Sequence, residues 1–90
     1  MISISATPDL HPQVATRSIE GQAIVVLADS GEVAILNDTG TFLWEQVNGT
    51  HLLSELAARL ALAYGLDLAD AERDTLEFFE TLLIMDAVVL

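Results

Sequence analysis

The sequence predicts one α+β domain in which a small antiparallel sheet is followed by three helices. Three observations carry this. The apolar pattern alternates with period 2 up to Leu36, then repeats about every 3.6 residues from Asn37 onward. Turn and cap residues stand at the joints: Asp29-Ser30-Gly31, Asn37-Asp38, Gly49, Gly65 and Asp67. The chain has 90 residues, 52% of them hydrophobic, which suits one core and a single domain spanning residues 1–90.

Taken in order, residues 1–12 are expected to be loosely ordered or a lone edge segment. Val14 to Ile19 reads as a weak strand. Ala23 to Ala28 reads as a stronger one, because Ile24-Val25-Val26-Leu27 is continuous and rich in β-branched residues. Asp29-Ser30-Gly31 turns the chain, and Glu32 to Leu36 returns as the second arm of a hairpin. Val33 and Ile35 then point to one side, and Glu32, Ala34 and Leu36 to the other.

Asn37 or Asp38 caps the first helix. Phe42, Leu43 and Val47 share one side of it, and Gly49 stands where a glycine would end it. The second helix carries a stripe of Leu53, Leu56, Ala57, Leu60, Ala61 and Tyr64, with Glu55 and Arg59 as an i,i+4 pair on its wet side and Gly65 at its end. Asp67 caps the third helix, about Leu68 to Met85, and Asp70 and Glu72 suit its positive end. Ala87 to Leu90 is apolar and reads as a last short strand or cover. The order β-β-β-α-α-α describes a winged-helix-like domain, a three-stranded antiparallel sheet followed by a three-helix bundle.

The third helix has an apolar face wider than one contact needs. Leu76, Phe79 and Leu83 cluster on one flank, and Ala71, Phe78, Leu82 and Met85 on the adjacent one, whereas a single core contact takes a stripe of roughly 100°. Either both neighbours are internal, or part of the second flank lines a groove open to a partner. Trp44 has two readings as well: a core anchor whose indole N–H finds an acceptor, or an exposed binding aromatic.

The formal charge is −11, from fourteen carboxylates against three arginines and no lysine. Phosphate neutralisation needs clustered cations, so nucleic-acid binding is not expected. An anionic membrane surface would repel the chain, and no apolar run approaches the roughly 18 residues of a span. The charge either keeps an apolar-rich domain soluble or steers a basic partner toward it. The N-terminus lacks a basic start followed by an apolar run, which argues against a signal peptide and for a cytoplasmic protein.

Catalytic and cofactor chemistry finds no foothold. There is no Cys, and the two histidines, His11 and His51, have no ligand spacing for zinc. The five glycines stand singly, so no phosphate-cradling loop exists. Carboxylate pairs such as Asp70/Asp74 and Glu77/Glu80 fall on a solvated face. Neither an enzyme nor a bound cofactor is expected.

Leu36-Asn37, Thr39-Gly40, Trp44, Gly49, the Leu53-Glu55-Leu56-Ala57-Leu60 stripe and Phe78, Phe79 and Leu82 together resemble the PqqD-like family over about Ala23 to Val88. The resemblance implies a non-catalytic chaperone, a recognition element for ribosomally made, post-translationally modified peptides. A precursor's leader segment would add as a strand to the edge at Glu32, Val33, Ala34, Ile35 and Leu36. Its side chains would drop against Asp74, Phe78, Thr81, Leu82 and Met85, and the module would present it to a modifying enzyme, often a radical-SAM enzyme. Quinone-cofactor (PQQ) biosynthesis is one such pathway and lasso peptides another; the residues do not choose. Two positions depart from the pattern: Asp86 stands where Gly is common, and Gln46 where an apolar residue is usual. The competing readings are a structural domain that homodimerises through its open strand edge and, less favoured for want of basic residues, a winged-helix DNA-binding regulator.

Overall fold

The computed structural model describes residues 2–90. Its elements are β1 (Asp9–Leu10), β2 (Val14–Ile19), β3 (Gln22–Leu27), β4 (Val33–Ile35), α1 (Asp38–Trp44), α2 (Leu53–Tyr64), α3 (Leu68–Ile84) and β5 (Val88–Val89). The expected three-stranded antiparallel sheet is present with order β2-β3-β4, and a separate ribbon pairs β1 with β5.

β2 and β3 meet through Glu20-Gly21, with Ile19 opposite Gln22. Both turn residues have positive φ, the signature of a type I′ hairpin whose twist matches that of the strands. β3 is the central strand. Its Ala23, Val25 and Leu27 are buried, while Ile24 and Val26 lie on the outer, half-exposed face. β4 alternates in step with it: Val33 and Ile35 are exposed, and Leu36 beyond them turns into the core.

Thr41 joins sheet to helix. Its buried hydroxyl accepts the Ala23 N–H at 3.0 Å and donates to the Leu36 carbonyl at 3.4 Å, satisfying groups that the short β4 leaves over. The core is closed by Leu43, Trp44, Leu53, Leu56, Leu60, Phe79, Leu82 and Val88. Trp44 is the core anchor of the two readings, and its Nε1–H donates to Thr16 Oγ1 at 3.1 Å.

Three local expectations are corrected. Residues 2–12 are not loose. Ile2 and Pro8 are buried, and the carbonyls of Ile4 and Ala6 accept the N–H groups of Ser54 and Leu53 at 2.9 Å. The segment thus caps the start of α2, whose first amide donors have no partner within the helix. Nor does α1 run to Gly49. It ends at Trp44, and Gln46 and Val47 close tight i→i+3 turns instead. Gly49 serves the N-terminal segment: its N–H donates to the Pro8 carbonyl, its φ is +79°, and a Cβ there would stand 2.9 Å from Asp9 Oδ2.

The Glu55–Arg59 pair does not form. Glu55 Oε1 accepts the Leu52 N–H at 2.9 Å and so caps α2, while Arg59 donates to Gln46 Oε1 at 2.9 Å. Gln46, polar where an apolar residue is usual, also donates to the Phe42 carbonyl and so ties the end of α1 to α2. Finally, the departure at Asp86 leaves the end of α3 as a glycine would leave it. Asp86 takes the left-handed conformation, φ +59°, and the Ala87 N–H to Leu82 and Asp86 N–H to Leu83 bonds complete a Schellman cap.

Candidate functional site

The site is where β4 faces α3. β4 is only three residues long and lies at the edge of the sheet, with β3 on one side and, among the described residues, no strand on the other. The hydrogen bonds Leu36 N–H to Ala23 O and Leu27 N–H to Glu32 O identify the bonded pairs of this antiparallel ladder. Bonded and non-bonded pairs alternate, so Glu32, Ala34 and Leu36 direct their backbone groups at β3. The N–H and C=O of Val33 and Ile35 therefore point out of the sheet. Val33 is 58% and Ile35 68% exposed.

Between this edge and α3 lies an open groove of ≈ 330 Å³. Ala34, Ile35 and Leu36 form one wall, with Asn37 at its end, and Phe78, Thr81, Leu82 and Met85 form the other. The α3 wall exists because the apolar face of the helix exceeds what the core uses. Ala71, Thr75, Phe79 and Leu82 are buried, whereas Phe78 and Met85 are only partly covered. Phe78 is steadied by an edge-to-face contact with Phe79, ring centroids 5.2 Å apart. Beneath it Gly40 gives room: a Cβ there would come within 3.1 Å of Phe78 Cε1 and 3.0 Å of Asn37 Oδ1.

A second hollow of ≈ 370 Å³ adjoins the groove and shares Asn37, Phe78 and Thr81 with it. Thr39, Gly40 and Leu43 of α1 line it, with Leu60 and Leu66, and Asp74 and Glu77 of α3 complete it. Asn37 Oδ1 accepts the Gly40 N–H at 2.8 Å, so the N-terminus of α1 is already capped. Arg73 lies near these carboxylates on α3 but donates to Asp70 at 2.7 Å. Its pKa is raised by that hydrogen bond first, then by the charge of Asp70, with smaller contributions from Asp74 and Glu77.

Of the site residues expected from sequence, Ala34, Ile35, Leu36, Phe78, Thr81, Leu82 and Met85 meet around one groove. Asp74 lies on the adjoining hollow, and Glu32 and Val33 line neither. Val33 contributes only edge backbone, while the Glu32 carbonyl is used by Leu27. The sequence reading did not single out Asn37, Thr39, Gly40 or Glu77 as site residues. Asn37 did stand out in the chain as a helix cap, and Thr39-Gly40 as part of the family resemblance.

Among the described residues no group of three His, Asp or Glu side chains is arranged to hold a metal ion, and no helix is long and apolar enough to cross a membrane.

An open strand edge beside an apolar helix wall defines a class, small α+β domains with a free sheet edge along a groove. The particular family follows from the sequence match. Residues 22–84 match the model of Coenzyme PQQ synthesis protein D (PqqD), and the chain belongs to that family. Curated proteins offer no match. Two solved structures share the fold. The structure of lasso peptide synthetase B1 complexed with the leader peptide has a TM-score of 0.85 at 24% identity, over 94% of this chain and 100% of that one. TbiB1 in complex with the TbiA(beta) leader peptide has a TM-score of 0.83 at 18% identity, over 89% of this chain and 93% of the other.

Proposed function

We propose that this protein is a non-catalytic chaperone that captures the leader segment of a ribosomally made precursor peptide and presents it to a modifying enzyme, such as a radical-SAM enzyme. The observation that carries the reading is the β4 edge, whose free backbone groups at Val33 and Ile35 run beside a groove walled by Phe78, Thr81, Leu82 and Met85. Backbone bonds to the edge supply affinity, and the groove sets which residues of the peptide face α3. Membership of the PqqD family and a fold shared with two proteins solved with leader peptides support it. Capture and chemistry are then divided: this chain holds the leader, and the enzyme acts on the tethered core peptide at raised effective concentration.

The edge itself favours one further reading, a homodimer in which two β4 strands pair in a winged-helix-like assembly. A DNA-binding role fits poorly, since α2 and α3 carry one arginine each, Arg59 and Arg73, among many carboxylates.

The test is NMR shift mapping of the labelled domain, titrated with the leader segment of a short peptide encoded beside its gene. Shifts concentrated at 32–37 and 74–85 are expected. Shifts scattered away from β4 and α3, or an apparent mass that doubles with concentration and hides β4 from the peptide, would sink the reading.

A further inference from the structure

We infer that the hollow beside the groove is a subsite for an arginine or lysine side chain of the captured peptide. The inference rests on the peptide-capture reading and adds to it a chemical class of ligand. The hollow shares Asn37, Phe78 and Thr81 with the groove, so a chain lying along β4 passes its mouth. Its apolar surface comes mainly from Phe78 and Leu66, since Leu43 and Leu60 are almost fully buried, and Asp74 and Glu77 stand at its wall. A long basic side chain matches both features, laying its methylene stem on the apolar surface of Phe78 and Leu66 and its cationic head between the carboxylates.

The charges of the hollow have one sign. Asp74 and Glu77 are the only titratable residues that line it, and neither forms an ion pair among the described residues; the neighbouring Arg73, which feels both charges, is paired with Asp70. The nearest helix end offers an anion nothing, because the Gly40 N–H is committed to Asn37 and Asp38 adds negative charge to the first turn. The net charge of −11 works at longer range in the same direction, raising the local concentration of basic peptides. The geometry also constrains spacing. Phe78 and Thr81 of α3 line both groove and hollow, and side chains alternate along a strand, so those that face α3 recur at every second position. The basic residue and the apolar residue that fills the groove are therefore an even number of positions apart.

The experiment presents the full chain with capped peptide libraries of about ten residues, an extended length ample to span β4. Leucine is held at one central position, and arginine, its neutral isostere citrulline, or leucine is fixed at each other position in turn. Binding is read by mass spectrometry at about 0.3 M salt, where diffuse attraction is screened. Arginine should be preferred over citrulline about fivefold at a position of even offset from the leucine, the gain expected of a partly exposed ion pair. Asp74→Asn with Glu77→Gln should erase that preference and keep the leucine selection. Arginine enriched equally at every position, or citrulline retained as well as arginine, overturns the subsite while leucine selection leaves peptide capture standing. If no peptide is retained even with the leucine anchor, capture fails and the subsite with it.

Discussion

Ile35→Pro separates the edge from the fold more cleanly than any other single change. Proline removes a backbone donor, and in the middle of a sheet this breaks the ladder. Ile35 is opposite Ile24 at a non-bonded position, so its N–H points away from β3 and no ladder bond is lost. The side chain is 68% exposed, so little core area goes with it. The lost cross-strand contact with Ile24 costs about 0.2–1 kcal/mol, with some added strain from the fixed φ. Stability should therefore fall by only about 1 kcal/mol in urea unfolding. Binding should suffer more, because a carbonyl of the added strand is left without its donor, at about 1–3 kcal/mol, or roughly 5- to 150-fold in affinity. Fluorescence anisotropy of a labelled leader peptide reads this directly. Ile35→Ala, which keeps the N–H, should bind within about threefold of the parent. Ala34→Pro, whose N–H faces β3, should unfold the sheet. Parental affinity in a folded Ile35→Pro protein would refute strand addition at β4.

Other outcomes are expected from the same geometry. Phe78→Ala and Met85→Ala should each weaken peptide binding about tenfold or more while the domain stays folded, since both are only partly buried; stability loss with unchanged affinity would remove them from the groove. Asp86→Gly should raise stability by about 0.5–1 kcal/mol in thermal unfolding, because the left-handed cap that closes α3 strains any residue with a Cβ. Thr75→Val should also stabilise, by about 1 kcal/mol, since the Thr75 hydroxyl is fully buried with no hydrogen-bond partner among the described residues. A lower unfolding midpoint for Thr75→Val would mean that the hydroxyl is paired in solution.

Much of the architecture was legible in the residues because its causes are local. The change of period at Leu36–Asn37, the caps at Asn37 and Asp67 and the left-handed Gly65 act within a turn of the chain, and each stands where it was expected. The over-wide apolar face of α3 was also visible, since which residues share a helix face depends on spacing alone. Whether Phe78 and Met85 of that face stay partly uncovered was left open by the spacing, and only the family resemblance pointed to a groove there.

What the sequence by itself determined is thus the three-stranded sheet, the three helices and the apolar faces they carry, but not β1, which pairs with β5. What only the tertiary structure decided is where those faces meet. The backbone of Val33 and Ile35 points outward because of a register with β3, and register depends on pairs of residues distant in the chain. The capping of α2 by residues 4–6 and the close approach of Asp9 to Gly49 arise in the same way, from contacts about 40 or more residues apart. The groove is a space between two elements, and no local pattern records how far apart packing will leave them.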